Sequence, residues 1–170
     1  MLFPIQGVAD TDVADLLTAA QVSRRTFYQH FAGKQALLAE HLRELERNPN
    51  RTPLTTLARP GASPRERLAA LFDPAARPLR GCPFSNAVSL TPQPTSEPHQ
   101  VATRFKGTFR QQLVDLAREA GIRDAEPLGK QLSVIYNGGI LESAIFNDSE
   151  PIETARQLAL ELFDTQTSQS

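Results

Sequence analysis

The sequence is poor in the residues that build metal and redox sites. It has one cysteine, Cys82, which excludes a disulfide within a chain and makes a cysteine-based metal site implausible. The three histidines, His30, His41 and His99, are not spaced as a cluster of ligands. We therefore expect no metal and no cofactor.

Long apolar runs and a strong charge of one sign are also missing. No stretch approaches the roughly 18–20 apolar residues that cross a bilayer, and the N-terminal letters MLFPIQG lack the charge and length of a secretory signal. We expect a cytoplasmic protein without a membrane partner. The formal net charge is −1, and residues 1–47 carry five Lys/Arg against six Asp/Glu. Any attraction to DNA must be local, or doubled across a symmetric dimer.

Helical periodicity is what the sequence has instead. With 170 residues, 40% of them hydrophobic, the chain can bury a real core, and no segment alternates like a strand, so we expect an all-α fold. We predict a small N-terminal domain, residues 1–47, and a larger helical domain, residues 48–170. In the latter, helices are expected after a capping box at Ser63, around 84–90, over a long segment ended by Gly121, at 127–146 and at 151–165. The stretches before Gly61 and from 74 to 83 are expected to be loops.

The letters TDVADLLTAAQVSRRTFYQHFAGKQALL carry the strongest functional signal. Apolar residues at helical spacing predict a first helix, with Thr11 or Asp12 as its N-cap. Ser23 is a good N-cap for a second helix, in which Phe27 and Phe31 can pack inward. Two helices joined by a three-residue turn, with arginines opening the second, favour a helix-turn-helix whose second helix enters the major groove. A polar helical hairpin with a solvated arginine pair is the alternative.

These motifs, T-D-V-A-D-L-L, A-A-Q-V-S, T-F-Y-Q-H-F and G-K-Q-A-L-L, resemble the tetracycline-repressor-like (TetR) family of transcriptional regulators over about the first 45 residues. The resemblance implies that bases are contacted by Arg24, Arg25 and Thr26, and phosphates by Tyr28, His30 and Lys34. Thr11 and Ser23, at the helix starts, complete the candidate DNA-binding set. Gln21 departs from the glycine usual in the turn, so a residue with a Cβ must adopt the backbone angle needed there.

The start of the sequence also departs from the family. There, a helix of four or five turns precedes the glycine that Gly7 resembles, whereas Leu2–Gly7 matches only its last turn. We expect most of that first helix to be absent and the helix-turn-helix to be poorly covered, which would make it mobile.

An effector pocket is harder to locate. The letters RGCPFSNA resemble a G-C-P-F segment found at the edge of the ligand cavity in one branch of these regulators. The candidate pocket residues are Phe72, Cys82, Phe84, Phe105, Phe109 and Tyr136, because aromatic side chains commonly line apolar pockets. Taken alone, each aromatic residue is more simply explained as ordinary core, and Cys82 as a small buried hydrophobe.

The last two helices resemble the pair that forms a four-helix dimer interface in the family. The candidate interface residues are Leu132, Gly139, Ala155, Ala159 and Leu162. Because packing within one chain uses the same kinds of side chain as packing between two, a purely intramolecular core is the alternative.

Together these features predict a homodimeric, ligand-responsive transcriptional regulator, most simply a repressor, whose partners are a palindromic double-stranded operator and a small-molecule effector. Two alternatives remain open. One is a helical enzyme with Cys82 as nucleophile and His99 as base, which only the presence of the two residue types supports. The other is a ligand-binding or dimerising module with weakened or lost DNA binding.

Overall fold

The computed structural model describes residues 12–48, 52–73 and 80–169. Within these ranges every regular element is an α-helix and no strand occurs, which agrees with the predicted all-α class. The helices are α1 (Val13–Ala20), α2 (Arg24–His30), α3 (Lys34–Arg47), α4 (Pro53–Leu57), α5 (Pro64–Leu71), α6 (Pro83–Leu90), α7 (Glu97–Glu119), α8 (Ala125–Phe146) and α9 (Glu150–Ser168). None of these helices is long and apolar enough to cross a membrane.

Helix α4 corrects the expectation of a loop before Gly61. Pro53 occupies the first turn, where its missing N–H breaks no hydrogen bond, and the Thr52 hydroxyl accepts the backbone N–H of Leu54 at 3.3 Å. The proline and threonine of TPLTTL, which suggested a loop, therefore form the start of a helix. The predicted capping box at Ser63 is confirmed, since Glu66 and Ser63 each accept the backbone N–H of the other.

The chain divides into two compact units. The first is drawn from Met1–Arg47 and Pro83–Phe105, and the second from Asn48–Cys82 and Lys106–Ser170. The first unit thus takes in residues 83–105 besides the expected 1–47, and the boundary at 47/48 as a domain limit stays a prediction. Helix α7 contributes its first nine residues to the first unit and the rest to the second.

In the first unit, α6 and the start of α7 support α3. Phe84 of α6 and Phe105 of α7 are buried and stack face to face, with ring centroids 3.7 Å apart. Two ion pairs join α3 to α7: Arg43 NH2 lies 2.5 Å from Glu97 Oε1, and Arg104 NH2 lies 3.4 Å from Glu46 Oε2. Helix α3, which follows the helix-turn-helix, is therefore joined to α7 by ionic contacts.

The second unit is built on the hairpin of α8 and α9. Its core also includes α4, α5 and the later turns of α7. Gly139 of α8 lies so close to α9 that an added Cβ would be 2.6 Å from the Ala155 Cβ, and Ser143 Oγ accepts the backbone N–H of Ile152 at 3.1 Å. Arg65 of α5 forms a two-pronged ion pair with Asp164 of α9, at 2.8 and 2.9 Å.

Candidate DNA-binding interface

Helices α1 and α2 form the expected helix-turn-helix. Asp12 caps α1 in a reciprocal box with Asp15, their contacts being 2.8 and 3.2 Å. Gln21 ends α1 with φ +54°, the left-handed angle that the sequence required of it, and Val22 N–H then bonds Leu17 O at 3.1 Å. A residue with a Cβ thus makes the turn. Thr11, the other candidate cap, lies outside the described residues.

Helix α2 buries one side chain and exposes most of the others. Phe27 is buried, contacts the Phe31 ring at a centroid distance of 5.6 Å, and anchors the helix. At about 100° per residue, Arg25 and Gln29 lie about 160° from Phe27 on either side, and so form the centre of the outward face. Both are exposed, as is Arg24 nearer the Phe27 side.

Gln29 is a candidate that the sequence analysis missed. It stands four residues after Arg25, so the two side chains neighbour each other on one face of the helix. A glutamine amide can pair with the N6/N7 edge of adenine, as an arginine can with O6/N7 of guanine. The periodicity of the helix alone could have identified it.

The hydroxyls at the start of α2 are already used. Ser23 Oγ accepts the Thr26 backbone N–H at 3.0 Å and lies 2.8 Å from Thr26 Oγ1. Ser23 therefore caps α2. The hydroxyl of Thr26, which is half-buried, is held by its contact with Ser23. Both remain candidates for DNA contact, but their main bonds shape the helix.

The candidate phosphate contacts surround this face. Tyr28 is 51% exposed, and its ring packs edge-on against Phe27. His30 is exposed in the last turn of α2. Lys34 is half-buried at the first residue of α3, where exposed N–H groups favour an anion.

Helix α1 is the least covered element of the first unit. None of its eight side chains is buried, and Val13, Leu16 and Leu17 remain half-buried. The low burial of α1 is the observation that bears on the expected poor cover of the helix-turn-helix. The expected loss of the first helix concerns the segment before residue 12, which lies outside the described ranges.

The six candidate pocket residues fall into both units. Phe72, Phe109 and Tyr136 pack together in the second unit, with ring centroids of Tyr136 5.5 Å from Phe72 and 4.9 Å from Phe109. Phe84 and Phe105 belong to the first unit. Cys82 is half-buried. The aromatic residues therefore contribute to the cores of their own units.

The candidate dimer residues are mostly buried within one chain. Leu132, Ala155 and Ala159 belong to the core of the second unit, and Gly139 packs against α9. Leu162 is half-buried. Leu132, Ala155 and Ala159 therefore pack within one chain, and the contribution of these five residues to a dimer stays a prediction.

Another face of α8 and α9 is apolar and exposed. Val134, Leu141 and Ile145 of α8 are 70%, 57% and 66% exposed, and Leu158 of α9 is 52% exposed. The spacing Val134, Gly138, Leu141, Ile145 places one residue per turn in a stripe, and the Cβ position at Gly138 meets nothing within 4 Å. We call this set, with Leu158, the outer stripe.

Two further points of the sequence analysis concern a metal site and the pairing of Cys82 with His99. No group of three or more His, Cys, Asp or Glu that could hold a metal occurs among those residues. The Nδ1 atom of His99 lies 3.2 Å from the Thr91 carbonyl oxygen, so the base of the enzyme alternative makes a backbone contact inside the first unit.

Known proteins resemble this chain in sequence and in fold. Residues 1–41 match the family model for bacterial regulatory proteins of the tetR family. The HTH-type transcriptional repressor DhaR of Mycobacterium sp. (strain GP1) is 27% identical over 161 residues, covering 89% of this chain and 81% of the relative. The fold matches SCO4454, a TetR-family regulator from Streptomyces coelicolor, with a TM-score of 0.79, 22% identity and coverage of 99% and 89%. It also matches regulatory protein TetR from Rhodobacter sphaeroides, with a TM-score of 0.80, 17% identity and coverage of 95% and 92%. The resemblance predicted from the N-terminal motifs is confirmed.

Proposed function

We propose that this chain, a regulator of the tetracycline-repressor-like family, is a homodimeric repressor that holds a palindromic operator through α2 and releases it when a small molecule binds the second unit. The carrying observation is the outward face of α2, where Arg25 and Gln29 are exposed opposite the buried anchor Phe27. Such a face presents base-reading side chains while the apolar anchor keeps the helix on its unit. We place its action in the cytoplasm, where a bacterial operator lies.

A second copy supplies what one copy lacks. The outer stripe leaves four large apolar side chains in water, and a contiguous apolar face of this kind marks an interaction surface. In a two-fold pair the same stripe meets itself, so it needs no other partner, and Gly138 allows close approach of the helices. The dimer also doubles the local positive charge of α2, which matters because the chain as a whole carries a charge of −1.

Effector release follows from linkage. A ligand that binds better to the dimer whose α2 helices do not match successive major grooves shifts the population toward that form. DNA must then weaken ligand binding by the same factor. A titration of the effector with and without operator would therefore report the coupling.

Selection of bound fragments from random DNA with the purified chain is the direct test. A two-fold symmetric consensus with half-sites about one helical turn or more apart supports the proposal. If repeated rounds of selection enrich no common sequence, the proposal is contradicted.

Single substitutions then assign the roles within α2. We expect Arg25→Ala and Gln29→Ala each to weaken operator binding by about 1–3 kcal/mol and to relax preference at one position of each half-site. Lys34→Ala should weaken all duplexes and reduce the slope of log affinity against log salt by about one. Fluorescence anisotropy on operator and scrambled duplexes measures both effects. Arg156→Ala, which removes an exposed charge of α9, is the matched control. If Arg25→Ala weakens binding to the operator and to the scrambled duplex equally, Arg25 does not read a base.

A second function is favoured by one observation. Among the described residues, α1 has no buried side chain, whereas α2 buries Phe27. A ligand-binding, dimerising module with weak DNA binding would have this property. Hydrogen exchange separates the two, since a competent DNA-binding unit should protect the amides of α1 and α2 in the presence of operator.

A further inference from the structure

A polar strip lies at the edge of the second unit between α7 and α8. Lys106 of α7 donates a hydrogen bond from its ammonium to the Oδ1 atom of Asn137 on α8. Arg110 follows Lys106 by four residues, so the two cations share one side of α7. Ser133 stands one turn before Asn137. We call Lys106, Arg110, Ser133 and Asn137 the seam strip.

The seam strip has positive charge without a counter-charge. No carboxylate of the described residues lies within 4.0 Å of the charged nitrogens of Lys106 or Arg110, although Lys130, exposed on α8, is paired with Glu126 at 2.7 Å. Lys106 is half-buried and its bonded partner is a neutral amide. Two like charges four residues apart on a helix repel each other, so the arrangement is unfavourable until an anion joins it.

The amide of Asn137 is held in one orientation. Its Nδ2 atom donates to the Ser133 carbonyl oxygen at 2.6 Å and lies 3.5 Å from Ser133 Oγ. The Oδ1 atom is thereby directed at Lys106, and the ammonium is fixed while two of its three N–H groups remain for another acceptor. A preorganised donor of this kind loses little freedom when a ligand binds.

Apolar rings adjoin the strip. Phe109 follows Lys106 by one turn of α7, Tyr136 precedes Asn137 on α8, and their centroids are 4.9 Å apart. Both rings are almost fully buried, at 1% and 3% exposed, so they belong to the core of the second unit and leave the polar groups of the strip as its contact with a ligand.

We propose that the seam strip binds the carboxylate of a small organic anion, with Lys106 and Arg110 as its charged donors, and that this carboxylate is the charged group of the effector. The statement that this ligand is the effector rests on the proposed function. The statement that an anion binds here rests on the residues of the strip alone. Charge-assisted hydrogen bonds of ammonium and guanidinium groups to a carboxylate are the strong ones, and here they also remove the repulsion between the two cations.

The probe is 1-naphthoate, compared with its uncharged analogue 1-naphthamide and with inorganic phosphate, in calorimetric titrations of the full chain at constant ionic strength. We expect saturable binding of 1-naphthoate, about 10- to 100-fold tighter than that of 1-naphthamide. Lys106→Met and Arg110→Met should each remove most of this preference and leave 1-naphthamide binding unchanged. Lys130→Met is the matched control and should bind 1-naphthoate as the parent does. Circular dichroism identifies a variant that has not folded, and two variants are used so that one such loss does not decide the result.

Four outcomes overturn the proposal. One is the absence of saturable 1-naphthoate binding at concentrations up to about 5 mM. A second is equal binding of carboxylate and amide, and a third is phosphate binding with the same dependence on Lys106, which assigns the strip to inorganic anions. The fourth is loss of the dimer on Lys106→Met in sedimentation, which assigns the counter-charge to a second copy. Operator binding measured on the same samples separates this test from the proposed function, since a chain that binds DNA but no carboxylate refutes the strip alone.

Discussion

The close approach of α8 and α9 at Gly139 predicts how the chain responds to one added methyl group. In Gly139→Ala the new Cβ would lie 2.6 Å from the Ala155 Cβ and 3.3 Å from the Cα of Ile152. Ordinary contacts between carbon atoms are about 3.5–4.0 Å. Neither neighbour is the end of a flexible side chain, so α9 has to move away from α8. We expect Gly139→Ala to destabilise the second unit.

The magnitude is the sum of two opposed effects. Overpacking of this kind costs about 1–3 kcal/mol, while replacing glycine by alanine within a helix contributes about 0.8–1.0 kcal/mol of stability. Gly107 of α7 provides the second effect without the first, because nothing lies within 4 Å of its Cβ position. The two variants should therefore differ by about 1–3 kcal/mol, which is at least about 2–4 °C in midpoint temperature for a chain of this size.

Urea and thermal unfolding of the parent, Gly139→Ala and Gly107→Ala measure this difference. All three are compared at one protein concentration, because the midpoint of a dimer depends on concentration. Gly107→Ala should be more stable than the parent and Gly139→Ala less stable. Should Gly139→Ala unfold at or above the midpoint of Gly107→Ala, the packing of α8 on α9 described above is incorrect.

The remaining predictions concern the dimer face, the cap of α2 and acid stability. Leu141→Glu puts a charge into the outer stripe and should shift sedimentation from dimer to folded monomer, while Glu142→Gln, its exposed neighbour, should not; a dimer of unchanged affinity in Leu141→Glu would place the interface elsewhere. Ser23→Ala removes the α2 cap and should cost about 0.5–2 kcal/mol of local stability, read as faster amide exchange in α2; unchanged exchange would contradict the role of that bond. Hydrogen bonds from Ser63 hold the pKa of Glu66 below its ordinary value of 4.5, so its contribution to stability is complete above that pH and is lost as the pH falls through the lower, folded value. Glu66→Gln keeps the cap, so its unfolding midpoint should depend less on pH in this range than that of the parent. An equal dependence of the midpoint on pH in the two proteins would refute the assignment.

Local signals were sufficient for the helix-turn-helix. The caps at Asp12 and Ser23, the apolar anchor Phe27 and the turn at Gln21 depend on residues a few positions apart, so their pattern is readable in the letters. Gln29 escaped because the resemblance supplied the list of contacts, whereas the rotation of the helix about Phe27 would have added it.

The outer stripe could not be predicted in the same way. Helix α8 is apolar on two sides, and periodicity cannot distinguish the side that meets α9 from the side that meets water. The small residues at 138 and 139 illustrate the difficulty, since Gly139 faces Ala155 at close range and Gly138 faces open space, although the two are adjacent in sequence. Only the three-dimensional packing separates them. Helix α4 was missed for a different reason. Its five residues are too few to show a helical pattern, and the surrounding prolines and threonines suggest a loop.

Helix α7 relates the two proposals to each other. Its first turns carry Glu97 and Arg104, which bind Arg43 and Glu46 of α3, and the seam strip begins at Lys106, directly after the boundary of the first unit. Helix α7 is continuous from Glu97 to Glu119, so both sets of contacts lie on the same element. Linkage requires that an effector which weakens operator binding is itself bound more weakly when operator is present, so 1-naphthoate should bind the operator complex less tightly than the chain without DNA.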